Sequence, residues 1–411
     1  MDVQRLSAFA AAMILSATMF SATTALAQDT QTSEKGNAET PERRWGIIDF
    51  SVSYLRQAPD YESALETQEL MGTPVEIVGK QGYWLQVRTP QPYTAWCTDK
   101  GVQEVDEAGI EEWISSGRYM VVSPHSAVYS ERTVRSEVVC DLLEGDIVRA
   151  VPGKLRSKAH PQGLPVRRNG WAKVETPSGR AGWVKASDVR DFRKWASESA
   201  ATEKTVVETA MRFVGTPYLW GGMSPNGFDC SGLVRFAYFM NGLLLPRNAN
   251  QMAFCGRPVP VLECQAAKSG DGPEEESGDG PEEESGDGSE GHLAGINEEE
   301  HRAERPKEQC QFCADSLRAG DLLFFGKRGT DGSPDRITHV GLYIGDGRMI
   351  HSSHLVRVNS LVPGEADYYE NAHRLLSAVR IIGHEDESRD GCFKAERLSD
   401  SVHYFRQRSS K

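Results

Sequence analysis

The chain has 411 residues, enough for two or three domains with cores of their own. Its formal net charge is −13, but residues 269–300 alone hold 13 Asp and Glu and no Lys or Arg. The remainder is near neutral, so the acidic balance describes one segment and not the folded surface. Past the N-terminal stretch no run approaches the ~20 apolar residues of a spanning helix, which excludes a polytopic helical membrane protein.

Residues 1–27 read as an export signal. Arg5 precedes the apolar run Ala10-Ala11-Ala12-Met13-Ile14-Leu15, and Ala25-Leu26-Ala27 offers a small-residue cleavage site before Gln28. An uncleaved anchor is the alternative. No cysteine follows the site, so a lipid anchor is not indicated, and an exported product, periplasmic or extracellular, is expected. Residues 28–44, polar and rich in Thr and Glu, are expected to be a disordered leader.

Two copies of one short β pattern follow, at 45–106 and 117–191. Gly82-Tyr83-Trp84 leads to Trp96, and Gly170-Trp171 leads to Gly182-Trp183-Val184. The two Trp pairs have the same separation. Alternating short strands with turn residues between them predict two small β-barrels, with the tryptophans filling their cores. The second copy carries an extra basic loop from Lys154 to Arg168.

Residues 202–214 fit an amphipathic helix stopped by Gly215 and Pro217. Then comes Pro217-Tyr218-Leu219-Trp220-Gly221-Gly222, running into Phe228-Asp229-Cys230-Ser231-Gly232. Apolar residues at Leu233, Val234, Ala237, Tyr238 and Met240 predict a helix with Cys230 in its first turn. Free N–H groups and the helix dipole there favour a thiolate, so a lowered thiol pKa is expected.

From about 265 to 308 an acidic insert repeats Ser-Gly-Asp-Gly-Pro-Glu-Glu-Glu twice, with a third partial copy. Repetition, Gly, Pro and like charge predict disorder, and the acidic spacing is not that of an EF-hand loop. Cys255, Cys264, Cys310 and Cys313 flank the insert, and a disulfide at its base is expected. Zinc on Cys310-x-x-Cys313 is the alternative.

Asp321–Phe325 reads as a core strand. Residues 337–353 read as a hairpin, two apolar runs around Gly345-Asp346-Gly347, with His339 and His351 near one end. One ring can serve as general base on Cys230 and the other can orient it. Leu375–Ile382 is the closing strand, and 384–411 is expected to be a peripheral tail.

The motifs at 217–222 and 228–233, Leu245-Pro246-Arg247-Asn248, Arg318-Ala319-Gly320-Asp321 and the two-histidine hairpin together resemble the NlpC/P60 cysteine peptidases over 202–383. The two β copies resemble bacterial SH3 (SH3b) domains. The implied fold class is α+β: a papain-like NlpC/P60 catalytic domain preceded by two small all-β SH3b barrels. The implied triad is Cys230 nucleophile, His339 base and His351 orienter. Tyr218, Asp229, Ser231 and Arg247 are implied near the substrate. Tyr218 would serve the oxyanion or a D-Glu carboxylate, and Ser231 and Arg247 the α-carboxylate.

The domain order resembles the γ-D-glutamyl-L-diamino acid endopeptidases of cell-wall recycling. In them the first SH3b domain supplies an acid and a tyrosine that hold the free amine of L-Ala. These map to Glu66, with Glu62 as the alternative, and to Tyr93. Relatives carry Asp after Leu-Pro-Arg where this chain has the neutral Asn248, which weakens the amine grip. The partner implied is a peptidoglycan-derived peptide, with no nucleic acid, no metal or cofactor, no membrane insertion after cleavage, and a monomeric protein. A cell-wall amidase or acyltransferase on the same Cys-His-His core, and a wall-binding SH3b scaffold, are the other readings left open.

Overall fold

The structure, a computed structural model, describes residues 43–91, 93–153, 167–264, 310–330 and 333–405. The expected export signal, nearly all of the expected leader, most of the basic loop and the acidic insert lie outside the described residues.

Strands Arg44–Ile48, Val52–Arg56, Leu65–Leu70, Pro74–Gln81, Trp84–Arg88, Thr94–Thr98 and Val102–Val105 form the first antiparallel sheet. Its order is third, second, sixth, fifth, fourth, first, seventh. Strands Arg118–Val121, His125–Tyr129, Val138–Leu143, Ile147–Ala150, Trp171–Glu175, Ala181–Lys185 and Val189–Asp191 repeat that order, and a short strand Arg167–Arg168 is added at Trp171–Glu175. The equal Trp spacing reflects equal register. Gln86 pairs with Trp96 in the first sheet, and Lys173 pairs with Trp183 in the second.

The tryptophans do not fill the cores as expected, and the phase of the alternation explains it. Leu85, Val87, Ala95 and Cys97 point inward in the first module, and Ala172, Val174 and Val184 in the second. Side chains alternate along a strand, so Trp84, Trp96, Trp171 and Trp183 all fall on the outer phase. Trp96, Trp171 and Trp183 are half-buried. Trp84 is buried, but beneath the rings of Tyr61 and Tyr83, with centroids 4.9 and 5.7 Å away. The tryptophan that is fully buried is Trp113, on the connecting helix Glu107–Ser115, where Nε1 donates to the Gly72 carbonyl at 3.1 Å.

That carbonyl belongs to the joint between the modules. The turn Leu70-Met71-Gly72-Thr73 enters the second module, where Met71 joins its core. Ile147 N donates to Met71 O at 2.8 Å, and the buried Asp146 carboxylate accepts from Met71 N at 3.0 Å. Gly72 has φ +82°, and a Cβ there would sit 2.2 Å from the Ile147 carbonyl, so no other residue fits the turn.

The C-terminal sheet is antiparallel throughout, in the order Arg257–Val259, Leu375–Arg380, Leu322–Lys327, Arg336–Gly345, Arg348–Ser353, Leu355–Ser360. Helix Cys230–Phe239 packs on it, and helix Glu203–Met211 packs on that helix. Helix Cys230–Phe239 is buried from Ser231 to Tyr238, more than the one face its pattern suggested. Its neighbours on several sides supply that burial, including Phe213 and Phe228, whose rings meet Phe236 at 5.4 and 5.3 Å.

At the base of the insert, Leu262–Cys264 pairs with Cys310–Phe312, the backbones of Cys264 and Cys310 lying opposite each other. The side chains of those two cysteines lie outside the described residues, and Cys255 and Cys313 are free thiols.

The C-terminal segment is not peripheral. Glu396–Arg397 pairs with Leu243–Leu244, and Ala395, Leu398, Tyr404 and Phe405 join the largest core. The Phe405 ring stacks on Phe192 at 4.7 Å, and the buried Arg118 guanidinium lies over both rings while donating to the Tyr404 carbonyl. The apolar residues are spread thinly among charges, so no periodic face announced them. Phe405→Ala should cost about 3 kcal/mol of stability, read as a lower urea midpoint, from lost burial and the cavity left behind. An unchanged midpoint would mean that this segment only rests on the surface.

Candidate active site

The nucleophile candidate stands at the start of its helix because Asp229 caps it. Asp229 Oδ1 accepts from Gly232 N at 2.6 Å and from Ser231 Oγ at 3.2 Å, and Oδ2 accepts from Gly221 N at 3.0 Å. One carboxylate thus fixes both the helix start and the glycine-rich loop. A Cβ on Gly232 would lie 1.9 Å from the Gly222 carbonyl, so only glycine lets the loop lie on the first turn. Cys230 is partly accessible. Its sulfur accepts from the backbone N–H groups of Ser231 and of Val340, the residue after His339.

The hairpin forms as expected. Gly345, Asp346 and Gly347 all have positive φ at the turn between Arg336–Gly345 and Arg348–Ser353. Ser352 Oγ donates to the Phe228 carbonyl at 2.7 Å, which holds the hairpin against the segment entering the helix. His339 Nε2 and His351 Nδ1 are 2.8 Å apart, and His351 Nε2 is 2.9 Å from Asn359 Oδ1. The Tyr369 ring stands edge-on to His351, with centroids 4.9 Å apart. Asn359 carried no signal in the sequence, being a single polar residue in an alternating strand.

Burial sets the charge of these groups. It pushes the His339 imidazole down to about 3, aided by His351 and Arg357, and the His351 imidazole down to about 4. It also pushes the Cys230 thiol up to about 11, and the Asp229 carboxylate adds to the rise. The lowered thiol pKa expected from the helix start is therefore overturned. Two backbone N–H donors favour the thiolate, but desolvation outweighs them. At rest the Cys230 thiol and both imidazoles are neutral.

Arg247, expected near a substrate carboxylate, is almost wholly buried and fully engaged. Its guanidinium meets Asp229 Oδ2 at 2.5 Å and Oδ1 at 3.2 Å, Ser231 Oγ at 2.8 Å, and Thr67 Oγ1 of the first β module at 2.7 Å. Next to Thr67, Glu66 accepts from the Tyr93 hydroxyl, and the Asn248 side chain bonds that same hydroxyl. Glu66, Tyr93 and Asn248, far apart in sequence, thus share one cluster. Burial and the Glu66 carboxylate push the Tyr93 hydroxyl up to about 12, so it stays protonated. The alternative acid, Glu62, sits in an exposed turn, where its N–H bonds Asp60.

The glycine loop lies on this part of the first module. A Cβ on Gly221 would come within 2.8 Å of Leu65 Cγ, and Met223 N donates to Gln68 Oε1 at 2.9 Å. Thr67 and Gln68 were not foreseen, because a contact between modules leaves no trace in local periodicity. Tyr218 is half-buried, and burial together with the nearby Cys230 and Asp229 raises its hydroxyl pKa.

Residues 215–374 match the NlpC/P60 family, and residues 51–103 match the bacterial SH3 domain. The chain thus carries an NlpC/P60 domain and a bacterial SH3 domain. It is similar to dipeptidyl-peptidase 6 of Lysinibacillus sphaericus, 28% identical over 55% of this chain and 79% of the relative. It is also similar to the gamma-D-glutamyl-L-lysine dipeptidyl-peptidase of Bacillus subtilis (strain 168), 25% identical over 71% of this chain and 73% of the relative. A crystal structure of an NlpC/P60 family protein from Bacillus cereus shares the fold, with a TM-score of 0.56 and 20% identity over 82% of this chain and 99% of that one.

For this NlpC/P60 domain the resting charges have a direct readout. Alkylation of Cys230 by iodoacetamide should speed up about tenfold per pH unit from pH 7 to 9, because the thiolate fraction climbs toward a pKa of about 11. A rate already level at pH 7 would mean a preformed thiolate–imidazolium pair.

Proposed function

We propose that the protein is an exported cysteine endopeptidase that cleaves the γ-D-Glu–diamino acid bond of cell-wall peptides bearing a free N-terminal L-Ala. The observation that carries this reading is a buried network that links the chain neighbours of Cys230 and Glu66. It runs from Ser231 beside the nucleophile through Arg247 to Thr67 beside the acid. A thiol with an imidazole relay supplies peptide-bond chemistry, and the Glu66 carboxylate on strand Leu65–Leu70, clustered with Tyr93 and Asn248, supplies a fixed place for an ammonium.

In the proposed mechanism the thiol proton passes to His339 as sulfur attacks the γ-carbonyl carbon. His339 Nε2 is engaged with His351, so Nδ1 is the nitrogen that takes the proton. The oxyanion is met by the Cys230 backbone N–H, free in the first helical turn, and by the Tyr218 hydroxyl. His339 returns its proton to the leaving amine, and water then hydrolyses the thioester with His339 again as base. Asp229, Ser231 and Arg247 hold the nucleophile and loop in place. Glu66 pairs with the substrate ammonium while Tyr93 and Asn248 orient its carboxylate. Residues 1–27 act as the export signal, and the peptidase works as a monomer without metal or cofactor.

Cys230→Ala should abolish hydrolysis and leave the unfolding midpoint near that of the parent, and a variant retaining full activity would end the peptidase reading. The amine gate is tested separately with L-Ala-γ-D-Glu-diaminopimelate and its N-acylated form. Loss of one charge-assisted contact predicts at least about tenfold faster cleavage of the free amine. Equal rates would remove the gate and leave the peptidase in place.

A further inference from the structure

We propose that Asn359 is a positioning residue that fixes the proton on both imidazoles and so leaves His339 with a lone pair for the thiol. This rests on the Cys230–His339 reading above. The argument starts from a carbonyl. Asn359 Nδ2 lies 2.7 Å from the backbone oxygen of Asp367, which can only accept, so the amide nitrogen faces Asp367. The amide oxygen must then face His351 Nε2, at 2.9 Å, and that ring nitrogen must carry the hydrogen. Burial keeps His351 neutral, so its Nδ1 is bare and accepts from His339 Nε2 at 2.8 Å. His339 is neutral too, so its Nδ1 is unprotonated. One amide orientation therefore sets two tautomers in series.

The anchor of this series is itself held. The Asp367 carbonyl also accepts from Ser360 N at 3.1 Å, and the Asp367 carboxylate pairs with Arg348 on the neighbouring strand. Asn359 is buried and His351 is fully buried, so water does not compete for the ring nitrogen. A neutral amide has a further merit at this point. It defines the tautomer without adding a negative charge beside a group meant to stay uncharged at rest.

The test uses the mature chain and three variants of it. Long-range nitrogen-15 NMR at pH 7 should show both rings of the parent protonated at Nε2 and bare at Nδ1. A proton on Nδ1 of either ring would overturn the proposal without any variant. Asn359→Leu, of similar shape, should lose about 10- to 100-fold in kcat with KM within about twofold, and His351 should show mixed tautomers. Asn359→Asp keeps the acceptor for His351 Nε2 but loses the donor to the Asp367 carbonyl and adds a charge, so it should keep the Nε2 proton on His351 and recover kcat only in part. If Asn359→Leu keeps both the parental kcat and the parental tautomers, Asn359 is only a packing residue. Cys230→Ala separates the two readings: if it is inactive and Asn359→Leu is fully active, only the present proposal fails.

Discussion

The structure around Cys230 depends on one buried ion pair, Arg247 with Asp229. Each partner does more than neutralise the other. Asp229 holds the first turn of the nucleophile helix and the backbone of Gly221, while Arg247 reaches Ser231 on one side and Thr67 of the first β module on the other. Removing either side chain would leave a charge without its partner in the interior, a cost of about 3–5 kcal/mol. The pair is thus costly to break and also fixes geometry. It registers a helix, a loop and a separate module against each other with hydrogen bonds of defined direction.

That registration explains why the first module belongs to the site. Strand Leu65–Leu70 provides Glu66 and Thr67, and its Glu69 meets Arg235 of the nucleophile helix at 3.5 Å in the interior. Gly221 accepts no larger residue because this strand lies against it. The second module is tied to the first by Met71 and Asp146, and its Arg118 binds the C-terminal segment. It also meets the NlpC/P60 domain directly, where Arg212 donates to the buried Glu144 carboxylate at 2.7 Å.

Much of this was legible in the chain, and the residues show where legibility stops. Asp-Cys-Ser ahead of an apolar run announced a helix start, and Gly-Asp-Gly between two apolar runs announced the hairpin, because turns and caps are local. The repeated Trp spacing announced two like modules, but not the phase of the tryptophans, which depends on which face the closed sheet buries. Glu66 and Tyr93 could be reached only through the family resemblance, since nothing local joins them to Asn248. Asn359 and the segment ending in Phe405 gave no signal, since each matters only through a partner distant in sequence. The thiol shift was misjudged for the same reason. The helix start is local and visible, whereas desolvation by the hairpin is neither.

The resting charges bear on how such a site avoids wasteful chemistry. A thiolate held permanently at a partly open position reacts with any oxidant or electrophile that reaches it. Here the sulfur is kept as a thiol by burial and by the carboxylate of Asp229, while the base is kept neutral by its own burial. In the mechanism proposed above, proton transfer from sulfur to His339 separates charge, which is unfavourable in a dry site until a developing oxyanion meets donors such as the Cys230 N–H. That mechanism couples attack and proton transfer to the arrival of a carbonyl in the right place. The same coupling demands that His339 present a bare nitrogen at that moment, so the direction of a single amide on the far side of His351 bears on the reactivity of the sulfur.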